Sequence, residues 1–203
     1  QGSHPEAAPP ICLAVGRFVA KKGPLHTIRA FAAQPQGQLW MVGEGPLLVE
    51  AKALAEQLDL GERICFLGVR SQADVAALMR QVRLFVQHSL IAADGDSEGN
   101  PVAVMEAQLS GLPVVATRHA GIPEVVLDGQ TGVLVEEGDE LGMAAAIERL
   151  LRDPVLCGHL GEAGRIRVAS AFTLDHHLQD LSEFLKKTHA TATHATANAR
   201  KDA

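Results

Sequence analysis

Four clusters along this 203-residue chain have the residue types and spacing that ligand chemistry needs. In the first, Gly16-Arg17 stands six positions before Lys22-Gly23. A tight glycine turn, a planar guanidinium fork and a point-charge ammonium suit the oxygens of one phosphate-type anion. Alone, the pair also reads as two solvated loop cations. The second cluster, Val42-Gly43-Glu44-Gly45-Pro46, supplies glycines that let backbone approach a ligand and a proline suited to a first helical turn. It resembles half of a dinucleotide fingerprint, but Leu48 stands where the third glycine of GxGxxG belongs, which disfavours a nicotinamide or flavin role. A plain strand-to-helix turn fits it too.

The third cluster is the richest, running from Asp94 through Asp96, Glu98, Gly99, Asn100, Pro101 and Val102 to Glu106. Asn100 is suited to cap a helix and Pro101 to open it, with the helix expected to reach about Ser110. The free N–H groups and positive dipole end of such a helix receive anions. Glu98 and Glu106 then put carboxylates on either side of that terminus, as acceptors for sugar and ribose hydroxyls. They also read as a dipole-complementing acid and a solvated helix residue. Asp94-x-Asp96-x-Glu98-Gly99 mimics the opening of a calcium loop, but position twelve is Met105, and Glu106 comes one residue late. No metal site is expected. The fourth cluster, Thr117-Arg-His-Ala-Gly-Ile-Pro-Glu124, is a glycine turn closed by an acid and doubles as an ordinary capped loop.

The first three clusters, and the fourth with them, follow segments of strand length and composition. Strands are predicted at 11–15, 38–42, 63–67, 83–86, 113–116 and 132–135. Between them, Leu25, Ile28 and Ala32, and then Leu47, Leu48, Ala51, Leu54, Ala55 and Leu58, recur at helical steps. This alternation implies an α/β fold, a doubly wound, Rossmann-like parallel sheet covered by helices on both faces. Ligands bind such sheets beyond the strand C-termini, where all four clusters fall. After the last strand the pattern is helical only, with Met143, Ile147, Leu150 and Leu151 on one stripe, then segments at 154–170 and 174–187.

Residues 1–10 read as an added leader and a proline- and alanine-rich linker, residues 11–187 as the folded domain, and residues 188–203 as a disordered tail. With 47% hydrophobic and 21% charged residues, the chain is long enough for a substantial core. A net charge of -6 argues against nucleic-acid binding. Cys12, Cys65 and Cys157, an odd set without CxxC spacing, read as buried fillers in a reducing compartment. No run approaches the ~18 to 20 apolar residues of a membrane span, and a cytoplasmic location is expected.

The four clusters in this order resemble the donor domain of the retaining family-4 glycosyltransferases, whose glycosyltransferase-B fold sets two Rossmann-like halves face to face. The likeness runs from Ile11 to Lys187. It is carried by Gly16-Arg17 with Lys22-Gly23, the 42–46 run, Glu98 seven residues before Glu106, Gly111-x-Pro-Val-Val115, Gly121-Ile-Pro-Glu124, Asp128-Gly129 and Thr131-Gly132. Residues 95–124 are similar, more narrowly, to bacterial exopolysaccharide glycosyltransferases of the colanic acid and amylovoran type.

The resemblance implies a C-terminal half of that fold binding a nucleoside-diphosphate sugar. Arg17 and Lys22 would hold the diphosphate beside Gly16, Gly43 and Gly45. Glu98 would take donor-sugar hydroxyls, the backbone around Gly99, Asn100, Pro101 and Val102 the distal phosphate, and Glu106 the ribose. Val69 and Arg70 would flank the base. No cofactor or divalent metal is implied. His88-Ser89 departs from the family's usual Pro-Ser. An acceptor-binding N-terminal half is implied but cannot be formed by the residues before Ile11, so this chain alone is expected to be inactive and to reach a membrane surface only through that half. A noncatalytic nucleotide or sugar-phosphate binding module is the alternative. The two carboxylates do not indicate a glycosidase, whose acid pair must flank the scissile bond.

Overall fold

The structure is a computed structural model that describes residues 2–97 and 101–171. The chain divides into two compact units, Gln1–Ile166 and Arg167–Ala203, and all the clusters lie in the first. Six strands alternate with helices: β1 Ile11–Val15, α1 Pro24–Ala32, β2 Gln38–Val42, α2 Leu48–Gln57, β3 Ile64–Gly68, α3 Gln72–Met79, β4 Leu84–Gln87, α4 Val102–Leu109, β5 Val114–Thr117, α5 Ile122–Val125, β6 Gly132–Val135, α6 Glu140–Arg152 and α7 Pro154–Ala171. All strand pairs are parallel, in the order β3-β2-β1-β4-β5-β6. The three expected strands 63–67, 83–86 and 113–116 each start and end one residue later than composition alone placed them.

Strand order reverses between β1 and β4. From β1 the chain winds outward through β2 to β3, returns to β4 on the other side of β1, and winds outward again to β6. Right-handed crossovers therefore put α1 and α2 on one face and α3, α4 and α5 on the other. α6 returns to pack on α1. Every residue of β4 and β5 is buried, as a parallel strand covered on both faces requires.

The main core lies between the sheet and the first helical layer, where Ile28, Phe31, Leu39, Met143, Ile147 and Leu150 pack together. Each such large side chain contributes about 1.5 to 3 kcal/mol by leaving water. α1 starts at Pro24, whose fixed φ suits a first turn, and α6 is capped by Asp139, whose carboxylate accepts from Gly142 N–H at 2.8 Å. Cys12 and Cys157 are fully buried and their thiols are pushed up, Cys157 to about 12, first by burial, so neither is a thiolate at neutral pH. Cys65 is only half-buried, on the edge strand β3.

Residues 2–10 are held against this unit. Ser3 N–H donates to the Ser110 carbonyl at 2.7 Å, Ala8 is buried, and the Arg83 guanidinium reaches the Ala8 carbonyl. Among the described residues no helix is long and apolar enough to cross a membrane. The segment 174–187 and the tail 188–203 lie outside the described residues.

Candidate functional site

The reversal point brings the ends of β1, β2 and β4 together, and the first two clusters become one structure there. Gly16 N–H donates to the Val42 carbonyl at 3.0 Å, Phe18 N–H to Glu44 at 2.9 Å, and Leu47 N–H to Phe18 at 3.0 Å. Gly43 sits at φ 130°, and a β-carbon on it would strike the Gly16 carbonyl. Gly45, at φ 154°, would strike the Phe18 backbone at 2.6 Å. These glycines therefore let two loops touch, a demand set by the fold before any ligand arrives. Pro46 is not in the first helical turn as expected. It occupies the tight turn in which Leu48 N–H bonds the Gly45 carbonyl, and α2 begins only at Leu48.

Arg17 and Lys22 line the same pocket, together with Gly16, Thr27, Gln87 and the apolar ends of the strands. The methylenes of Lys22 lie beside Gly16, 3.5 Å from where a β-carbon on it would stand, while Arg17 is exposed. Two cationic side chains on a glycine turn can neutralise an anion that enters here.

The neighbouring Lys21, which sequence reasoning passed over, ties down the third cluster. Its ammonium donates to Asp96 Oδ1 at 3.0 Å and to the Ser97 carbonyl at 3.4 Å, and its own carbonyl accepts from Leu90 N–H at 3.1 Å. Asp96, half of the calcium-like pair, thus faces an ammonium. Among the described residues no group of three His, Cys, Asp or Glu is arranged to hold a metal ion. Glu98, Gly99 and Asn100 lie outside the described residues. Pro101 does not open α4 as expected. With φ -81° and ψ 58° it occupies the cap position, and the helix starts at Val102; no side chain among the described residues caps it. The ψ value, which is not helical, places the boundary one residue later.

Glu106 lies one turn into α4, half-buried, and its Oε1 accepts from Gln72 Nε2 at 3.1 Å. Val69 and Arg70 are exposed on the short link between β3 and α3. The base-flanking and ribose-facing candidates are therefore carried on adjacent elements, with Gln72 joining them.

In the fourth cluster the left-handed residue is Ala120, at φ 45°, whereas Gly121 has an ordinary φ of -76°. The motif residues that follow are tied into the fold. Asp128 accepts from Arg118 at 2.5 Å and from Leu134 N–H at 2.9 Å, and Thr131 receives the buried Gln108 amide at 2.8 Å.

A cluster of histidines and acids behind the site also escaped the sequence. His88 is fully buried; its Nε2 accepts from Gly138 N–H at 2.9 Å and its ring stacks on His26. Burial first, then the His26 charge, push its pKa down to about 4. With Nε2 accepting, the neutral ring carries its proton on Nδ1. His119 meets Glu137 at 2.6 Å, and that bond holds the Glu137 carboxyl below its usual range. Sequence offered one signal, the His88-Ser89 departure, and no sign of its partners.

Residues 2–167 match the family described as glycosyl transferases group 1. The chain belongs to this family. Over 179 residues this group 1 glycosyl transferase chain is 34% identical to the amylovoran biosynthesis glycosyltransferase AmsK of Erwinia amylovora, covering 86% of the chain and 44% of that protein. It is 37% identical over 145 residues to the colanic acid biosynthesis glycosyltransferase WcaL of Salmonella typhimurium, described as putative, covering 69% and 36%. The group 1 chain thus spans less than half the length of either relative. Among solved structures, HepE of Anabaena in complex with UDP matches with a TM-score of 0.77 and 26% identity, over 90% of this chain and 50% of that one.

Proposed function

We propose that this chain is the nucleotide-sugar-binding half of a retaining hexosyltransferase that acts, as an intact protein, on a saccharide or lipid-linked acceptor. The observation that carries it is the convergence of Arg17 and Lys22 on one pocket at the sheet's reversal point, over the paired glycine loops. The UDP complex of HepE and the polysaccharide-assembly names of AmsK and WcaL support the same reading.

In this reading Arg17 and Lys22 bind the diphosphate. As the bond from the sugar C1 to the phosphate oxygen breaks, the leaving diphosphate keeps the electron pair, and these cations offset the charge that accumulates there. Glu98 holds sugar hydroxyls, the backbone from Gly99 through Asn100 and Pro101 to Val102 meets the distal phosphate, Glu106 accepts from the ribose diol, and Val69 and Arg70 flank the base. No metal takes part. The acceptor surface belongs to a facing domain, so this polypeptide binds donor without transferring sugar, and its place is the cytoplasm.

A thermal-shift panel of uridine, guanosine and adenosine diphosphates and their sugars tests the binding half. A ligand that binds only the folded chain stabilises it by about 2.7 kcal/mol at roughly 100 times its Kd. Silence from every diphosphate overturns donor binding, and sugar transfer by this chain alone overturns the half-site reading.

A further inference from the structure

We propose that Gln72 is a positioning residue for the donor nucleoside, holding the Glu106 carboxylate in the orientation that receives the ribose diol; this rests on the donor-binding reading above. Gln72 is the first residue of α3, and a capping box fixes that helix start. Ser71 Oγ accepts from Asp74 N–H at 3.2 Å, while Asp74 Oδ2 accepts from the Ser71 amide at 3.4 Å and from its hydroxyl at 2.7 Å. From this anchored point the carboxamide crosses to α4, donating from Nε2 to Glu106 Oε1 at 3.1 Å across 34 residues of sequence. Below the pair, Val75, Met79 and Leu109 line the groove between the two helices.

The chemistry of the pair suits the role. One amide proton occupies one lone pair of one carboxylate oxygen, which leaves Oε2 and a second lone pair on Oε1 for two vicinal hydroxyls. A lysine or arginine in place of Gln72 would orient the carboxylate and also neutralise it; a neutral amide orients it and leaves its charge for the ligand. In the free chain the bond competes with water and is weak. A nucleoside lying over it excludes that water and strengthens the bond along with its own. Gln72 also follows Arg70 by two residues, so the segment that flanks the base in this reading aims the ribose acceptor as well.

The test is calorimetric titration of UDP, GDP and ADP, and of their 2′,3′-dideoxy forms, into the wild-type chain and three variants, with folding checked by circular dichroism and melting. Gln72→Ala is expected to weaken the ribose forms roughly three- to tenfold and to leave the dideoxy forms unchanged. Gln72→Glu sets a second carboxylate against Glu106 and is expected to weaken the ribose forms further, with part of the loss recovered in high salt. Glu106→Gln should weaken the ribose forms at least as much as Gln72→Ala. If Glu106→Gln loses affinity while Gln72→Ala loses none, or loses the same for ribose and dideoxy forms, Gln72 does not position the carboxylate and donor binding stands. If no diphosphate binds the wild-type chain, the donor reading fails and the role of Gln72 with it; if diphosphate binds but Glu106→Gln is silent, Glu106 does not receive the ribose, donor binding stands and the role of Gln72 is overturned.

Discussion

The imidazole of His88 lies flat against that of His26, with ring centroids 4.7 Å apart and planes 17° apart. Burial makes a positive charge on His88 costly, and the neighbouring His26 adds to the cost. The carboxylates of Glu140, Glu137 and Asp139 pull the other way, yet His88 is driven down from 6.5 to about 4. In the unfolded chain it regains an ordinary value, near ~6.5. Between these values the unfolded state binds a proton that the folded state refuses. The contribution of neutral His88 is therefore present above the unfolded pKa and is lost as pH falls through the folded one.

Denaturant titrations at about pH 7.5 and about pH 5 should show a loss of about 2 kcal/mol attributable to this group. His88→Asn keeps an acceptor for the Gly138 amide and cannot titrate, so its stability should fall less over the same interval. Equal pH dependence in the two proteins would assign the acid sensitivity to other groups.

The contact between the two glycine loops sets a second expectation. Gly43→Ala drives a methyl group into the Gly16 carbonyl and should lower the melting temperature by many degrees, abolishing diphosphate binding with it. Gly61→Ala has a positive φ of 49° and nothing within 4 Å of the added carbon, so it should cost only the backbone preference, about 1 to 2 kcal/mol. Comparable melting of the two variants would show that the loops can part without penalty.

Arg17→Ala and Lys22→Ala should each weaken nucleoside diphosphate roughly 10- to 100-fold, the worth of a charge-assisted hydrogen bond, and barely change binding of the free nucleoside. Chelator should make no difference to either. Parallel losses for nucleoside and diphosphate in calorimetry would point to damage to the loops, and strict dependence on added Mg or Mn would return Asp94 and Asp96 to consideration as metal ligands.

The two carboxylates should separate by ligand. Glu106→Gln is expected to weaken both nucleoside diphosphate and nucleotide-sugar, whereas Glu98→Gln removes only the extra affinity that the sugar adds. Each loss is about 1.5 to 3 kcal/mol, reduced where removing an acid also relieves repulsion from the diphosphate. Identical loss profiles for the two variants would contradict the division between sugar and ribose.

The alternation of buried strands and amphipathic helices was enough to determine a parallel doubly wound sheet, because period and β-branched content are local properties that burial on two faces demands. The order of the glycine, lysine and glutamate motifs was enough to place the chain beside the group 1 glycosyl transferases. Boundaries were less legible: α4 begins after Pro101, whose ψ of 58° is not helical, and α2 after the Gly45 turn, where the Leu47 N–H is taken by the Phe18 carbonyl of the facing loop. What only the tertiary structure decided are relations between distant residues. Gly43 is forced by the carbonyl of Gly16, Lys21 holds Asp96, His88 stacks on His26, and Gln72 reaches Glu106. Each pair is 27 or more residues apart in sequence. Such pairs have no periodicity and no composition to betray them, and they meet only because right-handed crossovers bring the strand ends and helix starts to one rim of the sheet.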